Sequence, residues 1–480
     1  MRKYQYGIVI GIAIVIVTVS LVSLELNVVN QKPNIILIIT DDLSVSIIDF
    51  LLENNMMPNL KEHFIDNGIT FTNSFVTTPV CCPSRATSLS GLYAHNHGVF
   101  SNEPIIIDGK LAANGGFKAF NDTSTLATLL KNEGYRTGYI GKYLNGYEVD
   151  PLYVPPGWDD WKGFSLGPNR MFDFSVNHNG DLVTEKNQYK TDYIGEKVIE
   201  FIKESQGPYF MHIGTAVPHS SAQEPKCVLN SLLSLNPVTV SPKYNGTLDN
   251  ISILHSPSFY EKKSGMLPIE NVECIEMIFR RQAESIRSLD EVIGKIFQVL
   301  IEKNELNNTV VIFTSDNGFV FGEHGHVGKG EVYEESIRVP LFIRAPSIGK
   351  TTVTGLVTNN DIVPTIVDIT GIKPNLEVDG LSLLPIMKDP SKKWREVFLI
   401  EMWFADGTSY NAVRTIDMLY VEFSHRTYKG FYDLENDPFQ LSNMEKCFEE
   451  KCLKKMDELK NILKELVSCG NGTCQEIEKR

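Results

Sequence analysis

Two short polar clusters follow apolar runs: Asp41-Asp42 after Asn34 to Thr40, and Ser315-Asp316-Asn317-Gly318 after Thr309 to Thr314. Either cluster alone is weak, because Asp and Asn commonly open turns after strands. Together they offer three carboxylates and an amide, hard oxygen donors that suit Ca²⁺ or Mg²⁺ and not a soft metal. A third cluster, Thr78-Pro79-Val80-Cys81-Cys82-Pro83-Ser84-Arg85-Ala86-Thr87, sets Arg85 one helical turn after Cys81. A free thiol is a nucleophile, yet no His lies nearby in sequence to activate Cys81. The unreactive alternative for Cys81 and Cys82 is a buried pair or part of a disulfide.

The Cys-x-Pro-Ser-Arg core resembles the sulfatase family, part of the alkaline phosphatase superfamily, and the resemblance runs from Lys32 to about Asn443. It implies that Cys81, not Cys82, is oxidised after synthesis to formylglycine by a formylglycine-generating or equivalent maturase. It also implies a Ca²⁺ site, with Mg²⁺ the alternative, made by Asp41, Asp42, Asp316, Asn317 and the converted Cys81. An aldehyde hydrate carries two hydroxyls on one carbon, and a bound divalent cation lowers the pKa of the attacking one. After attack on sulfur, the second hydroxyl loses its proton and expels sulfate as the aldehyde reforms. Covalent catalysis thereby divides one hard step into two easier ones. Arg85 is expected to steady the hydrate.

Other segments extend the resemblance. Tyr139-Ile140-Gly141-Lys142-Tyr143-Leu144-Asn145-Gly146-Tyr147 matches the family's second signature, in which Lys142 contacts a sulfate oxygen. Many sulfatases carry a His two residues after this Lys; here that place is Leu144, and Asn145 is the candidate to take over its hydrogen bonding. The Gly-Lys-Tyr-Leu-Asn form, with Val154-Pro155-Pro156-Gly157-Trp158 and Ala94-His95-Asn96-His97, is similar to glucosamine-6-sulfatases and extracellular heparan endosulfatases. Ala216-Val217-Pro218-His219-Ser220 resembles the family's Pro-His segment. His219 is then the expected general acid for the leaving alcohol and a sulfate contact, work that suits a neutral-range pKa. In Gly322-Glu323-His324-Gly325-His326-Val327-Gly328-Lys329-Gly330, Lys329 matches the second sulfate-binding lysine, and glycine on either side lets the backbone approach an anion. Glu323, His324 and His326 are expected to shape substrate binding. Zinc fits them poorly, since the spacing is tight and no further soft ligand is evident. Two lysines, one arginine and one cation around a single sulfate would supply the charge stabilisation that S–O cleavage demands.

These residues need a scaffold that brings distant segments together. The β-branched run Asn34 to Thr40 is apolar on both faces, as a central strand of a helix-covered sheet must be. Thr137 to Ile140, Tyr209 to Gly214, Thr309 to Thr314 and Pro340 to Arg344 are of the same kind. Helical patterns lie between them at Ser124 to Glu133, Asp192 to Glu204 and Glu273 to Lys303. Alternating strand and helix predict an α/β fold with a large, mainly parallel sheet sandwiched by helices, alkaline phosphatase-like, with ligands at the strand carboxyl ends. Ser220 to Pro268 reads as a long irregular excursion near the site. Glu396 to Trp403 and Asn411 to Phe423 suit a small C-terminal antiparallel sheet, and Tyr432 to Pro438 resembles the family's structural turn before its last helix.

The expected organisation is an N-terminal segment over 1–30, a catalytic domain over 31–390, an antiparallel subdomain over 391–445 and a charged, cysteine-bearing tail over 446–480. Met1-Arg2-Lys3 before an uncharged apolar run from Gly7 to Leu24 reads as an uncleaved membrane anchor, with the rest of the chain outside. The expected location is therefore exported, on the outer face of a membrane or secreted, or a lysosomal-type compartment. Cys447 with Cys452 and Cys469 with Cys474 read as local disulfides, and Cys227 and Cys274 flank the irregular stretch and could close it. Sequons begin at Asn121, Asn245, Asn250, Asn307 and Asn471. A net charge of −14 and a pI near 5.3 argue against a nucleic-acid partner.

The subgroup resemblance implies a sulfated saccharide as substrate, glucosamine-6-sulfate esters first. The nearest rival is a phosphodiesterase or phosphonate monoester hydrolase of the same superfamily, since phosphate and sulfate esters share tetrahedral geometry. A catalytically silent, anchored protein that binds sulfated glycans is the rival from another class, but a binding module has no need of a nucleophile.

Overall fold

The strand Asn34–Thr40 (β1) is wholly buried, and its alternating side chains enter opposite cores: Ile36 and Ile38 on one side, Ile35, Leu37 and Ile39 on the other. The structure, a computed structural model, describes residues 32–480 except 168, 231–232, 262–269, 374–375, 425–428 and 471. The expected anchor over 1–30 and the Asn471 sequon lie outside the described residues. Among the described residues no helix is long and apolar enough to cross a membrane.

The main sheet adds Ile69–Phe71 (β2), Arg136–Gly141 (β3), Asp160–Leu166 (β4), Phe174–His178 (β5), Asp181–Glu185 (β6), Tyr209–Gly214 (β7), Thr309–Ser315 (β8), Leu341–Arg344 (β9) and Thr351–Val353 (β10). Its order is β10-β2-β9-β8-β1-β7-β3-β4-β5-β6. The central five, β8-β1-β7-β3-β4, are parallel, while β9 and β5 run against their neighbours. The expected strands are among the buried ones, and the buried β4 was not foreseen. The edge hairpin β5–β6 escaped the sequence reading because β6 is mostly exposed and lacks an apolar run.

Among the helices that cover the sheet are Cys81–Ser90 (α1), Leu126–Asn132 (α2), Lys190–Glu204 (α3), Val272–Glu302 (α4) and Ile362–Thr370 (α5). Val198, Phe201, Ile278 and Leu289 bring α3 and α4 into the core that holds Ile36 and Ile38. Ala86, Leu130 and Ile366 bring α1, α2 and α5 into the opposite core.

A second sheet is a four-stranded antiparallel meander of Val397–Trp403 (β11), Ser409–Thr415 (β12), Met418–Phe423 (β13) and Lys429–Asp433 (β14). The run Asn411 to Phe423 is thus two strands, folded back at Ile416-Asp417. Phe398, Ile400 and Met402 face Phe75 and Ile337 of the main body, whereas Leu399, Val413 and Tyr420 meet Leu459, Leu463 and Leu466 of the helix Glu450–Leu466 (α6). A last helix, Thr473–Glu478 (α7), follows. Disulfides join Cys227 to Cys274, Cys447 to Cys452 and Cys469 to Cys474, leaving Cys81 and Cys82 as free buried thiols.

Candidate active site

Parallel register carries the site's parts to one edge of the sheet. Thr40 pairs with Ser315 and Ile39 with Gly214, while Gly214 pairs with Gly141. The residues just past these four adjacent strands are Asp41-Asp42, Asp316-Asn317, Lys142 and, five beyond β7, His219. This is the carboxyl edge, where open α/β sheets hold ligands. Asp42 sits in the left-handed region at φ 68, a conformation short polar side chains tolerate better than most. Its amide donates to Asp316 Oδ1 at 3.1 Å, and Asn317 Nδ2 donates to Asp42 Oδ1 at 2.7 Å.

Helix α1 opens at Cys81, and all ten of its residues are buried. The Cys81 sulfur lies 3.4 Å from Asp41 Oδ1, and Lys329 Nζ donates to it at 2.8 Å. Burial pushes the Cys81 thiol up to about 12, against the pull of Lys142 and Lys329. Unmodified, it is a protonated thiol at neutral pH and a poor nucleophile. Cys82 points into the apolar core, and its amide donates to Asn102 Oδ1 at 2.9 Å.

Lys142 Nζ donates to Asp41 Oδ2 at 2.6 Å, and Lys329 Nζ donates to Asp42. Burial raises Asp41, but Lys142, then His219, Arg85 and Lys329, outweigh it and hold the carboxyl well below the usual range. Asp316 goes the other way, pushed up to about 6 by burial and by the Asp41 charge, with Arg85 and Lys142 opposing. Arg85 donates from Nε to Asp316 Oδ2 at 2.7 Å and from Nη1 to the Lys142 carbonyl at 2.8 Å, so it braces the carboxylates and the β3 end together. Gly214 makes room for this, since a β-carbon there would stand 2.4 Å from the Lys142 carbonyl and 3.1 Å from Arg85 Nη1.

His219 Nδ1 lies 2.8 Å from the Ser220 carbonyl, which can only accept, so Nδ1 carries a proton. Nε2 then faces Asp42 Oδ2 at 3.7 Å as the nitrogen free to exchange a proton. Burial lowers its pKa, while Asp41 and Asp42 resist.

The donor set fits a hard divalent cation. Asp41, Asp42, Cys81 and His219 each offer a ligand atom, all within 4.8 Å of one another. The buried Asn317 Oδ1 beside them has no hydrogen-bond partner. An oxygen without a donor, among three crowded carboxylates, is what a Ca²⁺ or Mg²⁺ ligand looks like. His95, Cys469 and Cys474 also converge, but the two sulfurs share one disulfide and offer no thiolate.

Other sequence candidates take supporting places. His324 is buried, stacks on Tyr333 and pairs with Glu261 at 2.5 Å, and His326 pairs with Glu331 at 2.9 Å, so both brace the Lys329 loop. His95 bonds Glu401, and His97 bonds Thr87 at 3.1 Å. The Asn145 side-chain oxygen is buried and has no hydrogen-bond partner within the protein. Sequence reasoning missed Asn359 and Asn102, which grip the turn around Cys81 from 275 and 20 residues away. Nothing local in either asparagine's sequence signals that role.

Comparison with known proteins agrees with this architecture. The family model "Sulfatase" matches residues 33–372, and the model "N-sulphoglucosamine sulphohydrolase, C-terminal" matches 322–468. An extracellular sulfatase SULF-1 homolog of Drosophila melanogaster is 32% identical over 77% of this chain, and the chain spans about a third (33%) of that protein's length. The N-acetylglucosamine-6-sulfatase of Homo sapiens is 29% identical over 93% of this chain and 86% of its own. Among solved structures, BT4656 in complex with its substrate D-glucosamine-2-N,6-O-disulfate shares the fold at a TM-score of 0.76, with 22% identity over 90% of this chain and 97% of that one. By its motifs and by the match over 33–372, the chain belongs to the sulfatase family.

Proposed function

We propose that the protein hydrolyses sulfate esters of saccharides, glucosamine-6-sulfate esters first among them, with Cys81 converted to formylglycine as its nucleophile. The observation that carries this reading is the Cys81 sulfur, held between Lys329 at 2.8 Å and Asp41 at 3.4 Å on the carboxylate-lined edge of the sheet. That sulfur stands where the formylglycine hydrate would carry its oxygens. The substrate class is supported by the N-acetylglucosamine-6-sulfatase relative. The three disulfides support an exported setting.

Asp41, Asp42, Asp316 and Asn317 would hold the cation, Ca²⁺ in our reading, which when bound supplies Lewis-acid polarisation of the sulfate and of the nucleophile. Lys142, buried, and Lys329, partly buried, place two ammonium groups where the sulfate's negative oxygens arrive, so transition-state charge meets fixed donors and not mobile water. Arg85 keeps Asp316 ionised and in place. His219, once Nε2 has also taken up a proton beside Asp41 and Asp42, would present that Nε2–H to the leaving alcohol oxygen and hand the proton over as the S–O bond breaks.

The test is the mass of the peptide spanning Thr78 to Arg85 from protein made in its native host. Conversion of CH₂SH to CHO lowers the mass by about 18 Da. With the shift on Cys81, the wild type should release sulfate from glucosamine-6-sulfate and the Cys81→Ala protein should not. Two unmodified thiols, or a Cys81–Cys82 disulfide, would remove the nucleophile and with it this reading.

A further inference from the structure

The strand end at Trp403 is tied to three segments that build the sulfate site. Two residues earlier, the Glu401 amide donates to the Thr77 carbonyl at 2.8 Å, just ahead of Cys81. The Trp403 ring itself meets Phe100 with centroids 4.4 Å apart, and Phe100 lies two residues from the Asn102 that holds Cys82. One residue later, Phe404 closes on the lysine loop: a β-carbon on Gly330, next to Lys329, would stand 3.4 Å from Phe404 Cε1 and 3.0 Å from Met402 Cε. Tyr410 reinforces that junction by donating to the Gly330 carbonyl at 3.0 Å.

Phe100, Trp403 and Phe404 are nonetheless only half-buried, although each belongs to a well-packed segment. The apolar surface continues into the hairpin Ile105–Ile107 and Lys110–Ala113, where Ile107 packs against Gly407 and remains 37% exposed. A contiguous, partly exposed apolar surface at the rim of a charged cleft is the kind that marks a ligand-binding groove. Beside these rings the sulfate site carries Asp41, Asp42, Lys142 and Lys329, so the apolar ring faces are a part of this rim that contributes shape recognition without charge.

We propose that Trp403, with Phe100, is a stacking platform for the sugar ring that bears the sulfate. A pyranose presents a face of C–H bonds, polarised slightly positive by the ring oxygens. An aromatic face is slightly negative, so the two surfaces attract while both leave water. Trp403 belongs to the second sheet, whereas Phe100 and the sulfate clamp belong to the catalytic body. The saccharide would thus be gripped across the junction of the two units, and binding energy from the ring would orient the ester over Cys81. This inference rests on the saccharide reading of the site and adds to it the residues that recognise the sugar.

The test uses metal-loaded full-length protein with formylglycine in place, and compares glucosamine-6-sulfate, 4-nitrophenyl sulfate and inorganic sulfate as an inhibitor. Trp403→Ala should raise KM for the sugar about tenfold, with the loss in KM rather than kcat and no matching rise in the inhibition constant of inorganic sulfate. Trp403→Phe should recover most of the loss. Phe100→Leu should move KM the same way by a smaller factor, and keeps the test alive if the alanine protein folds poorly. Unchanged sugar KM in Trp403→Ala and Phe100→Leu overturns the platform, as does an equal rise in the sulfate inhibition constant, which would mark a packing defect. A loss on 4-nitrophenyl sulfate alone would assign the ledge to aryl groups and overturn the saccharide assignment. If the wild type cleaves the aryl ester but neither binds nor cleaves the sugar, the saccharide reading fails together with the platform. A wild type active on the sugar with indifferent variants sinks the platform only.

Discussion

Lys329 contacts both Asp42 and the Cys81 sulfur, so one ammonium group balances a carboxylate and faces the reacting position. Burial alone would favour its neutral form, but Asp42, then Cys81 and Asp41, reverse this and hold its pKa well above the ordinary range. Lys142 behaves alike, its burial outweighed chiefly by Asp41. Both lysines are therefore charged before substrate arrives, and no reorganisation is needed when negative charge builds on the sulfate. Removing one preorganised donor of this kind costs about 10²–10³ in rate. Lys329→Ala should lower kcat for sulfate release by that factor in steady-state assays, and a variant within about threefold of wild type would remove Lys329 from the catalytic set. The carboxylates carry a second expectation. With Asp41, Asp42 and Asp316 crowded beside an unpartnered Asn317 oxygen, exhaustive chelation should abolish turnover, and Ca²⁺ or Mg²⁺ should restore it. It should also lower stability, by about 2.7 kcal/mol if the ion had been present at a hundred times its Kd. Turnover that survives chelation would refute the metal assignment.

Among the secondary elements, the turn into α1 depends on a clamp from the far end of the domain. Asn359 Oδ1 accepts from the Thr77 amide at 3.1 Å, while its Nδ2 donates to Ser84 Oγ at 2.9 Å. One side chain thus bridges residues four before and three after Cys81. Asn359→Ala would strand a buried amide and hydroxyl, at about 1–3 kcal/mol. It should therefore lower both the melting temperature and kcat, and Asn359→Asp, which keeps the acceptor, should recover part of each. Loss of stability with kcat untouched would reduce the clamp to scaffolding. Such long-range grips mark the boundary of what the sequence can reveal. The strands β1, β7 and β8 are legible because each is apolar on both faces, and the Asp clusters because they end such strands. The Cys81 motif is legible because its residue types are rare in that order. The guanidinium of Arg85 bonds to Asp316, 231 residues away, and only register between parallel strands makes that pairing. The turn at Ile416-Asp417 was invisible because Ile416 prolongs an apolar run across it.

At the scale of the whole molecule, two appendages are locked to the catalytic body by buried polar groups. At the C-terminus, Arg395 pairs with Glu478 at 2.8 Å and with Asp361 at 2.6 Å, two residues from the Asn359 clamp. On the other side, the irregular excursion reaches the Lys329 loop through Ser258, which donates to Glu335 Oε1 at 3.1 Å, and through Glu261, which pairs with His324. Glu335 makes this second junction sensitive to pH. Burial, then the nearby Glu323 charge, pushes its carboxyl up to about 7 from an ordinary 4.5, with Ser258 opposing. Below pH 4.5 the group is protonated whether the chain is folded or not, and the stability it allows is fully present. As pH rises from there, the unfolded chain releases the proton and the folded protein keeps it, so stability falls until about pH 7 and then levels off. The loss is on the order of 3 kcal/mol for a shift of this size. Glu335→Gln keeps the acceptor for Ser258 and removes the charge. Melting temperatures of the two proteins should therefore run close together near pH 4.5 and separate as pH approaches 7, with the variant the more stable. Parallel curves across that interval would mean that Glu335 titrates normally and that the excursion docks without regard to its charge.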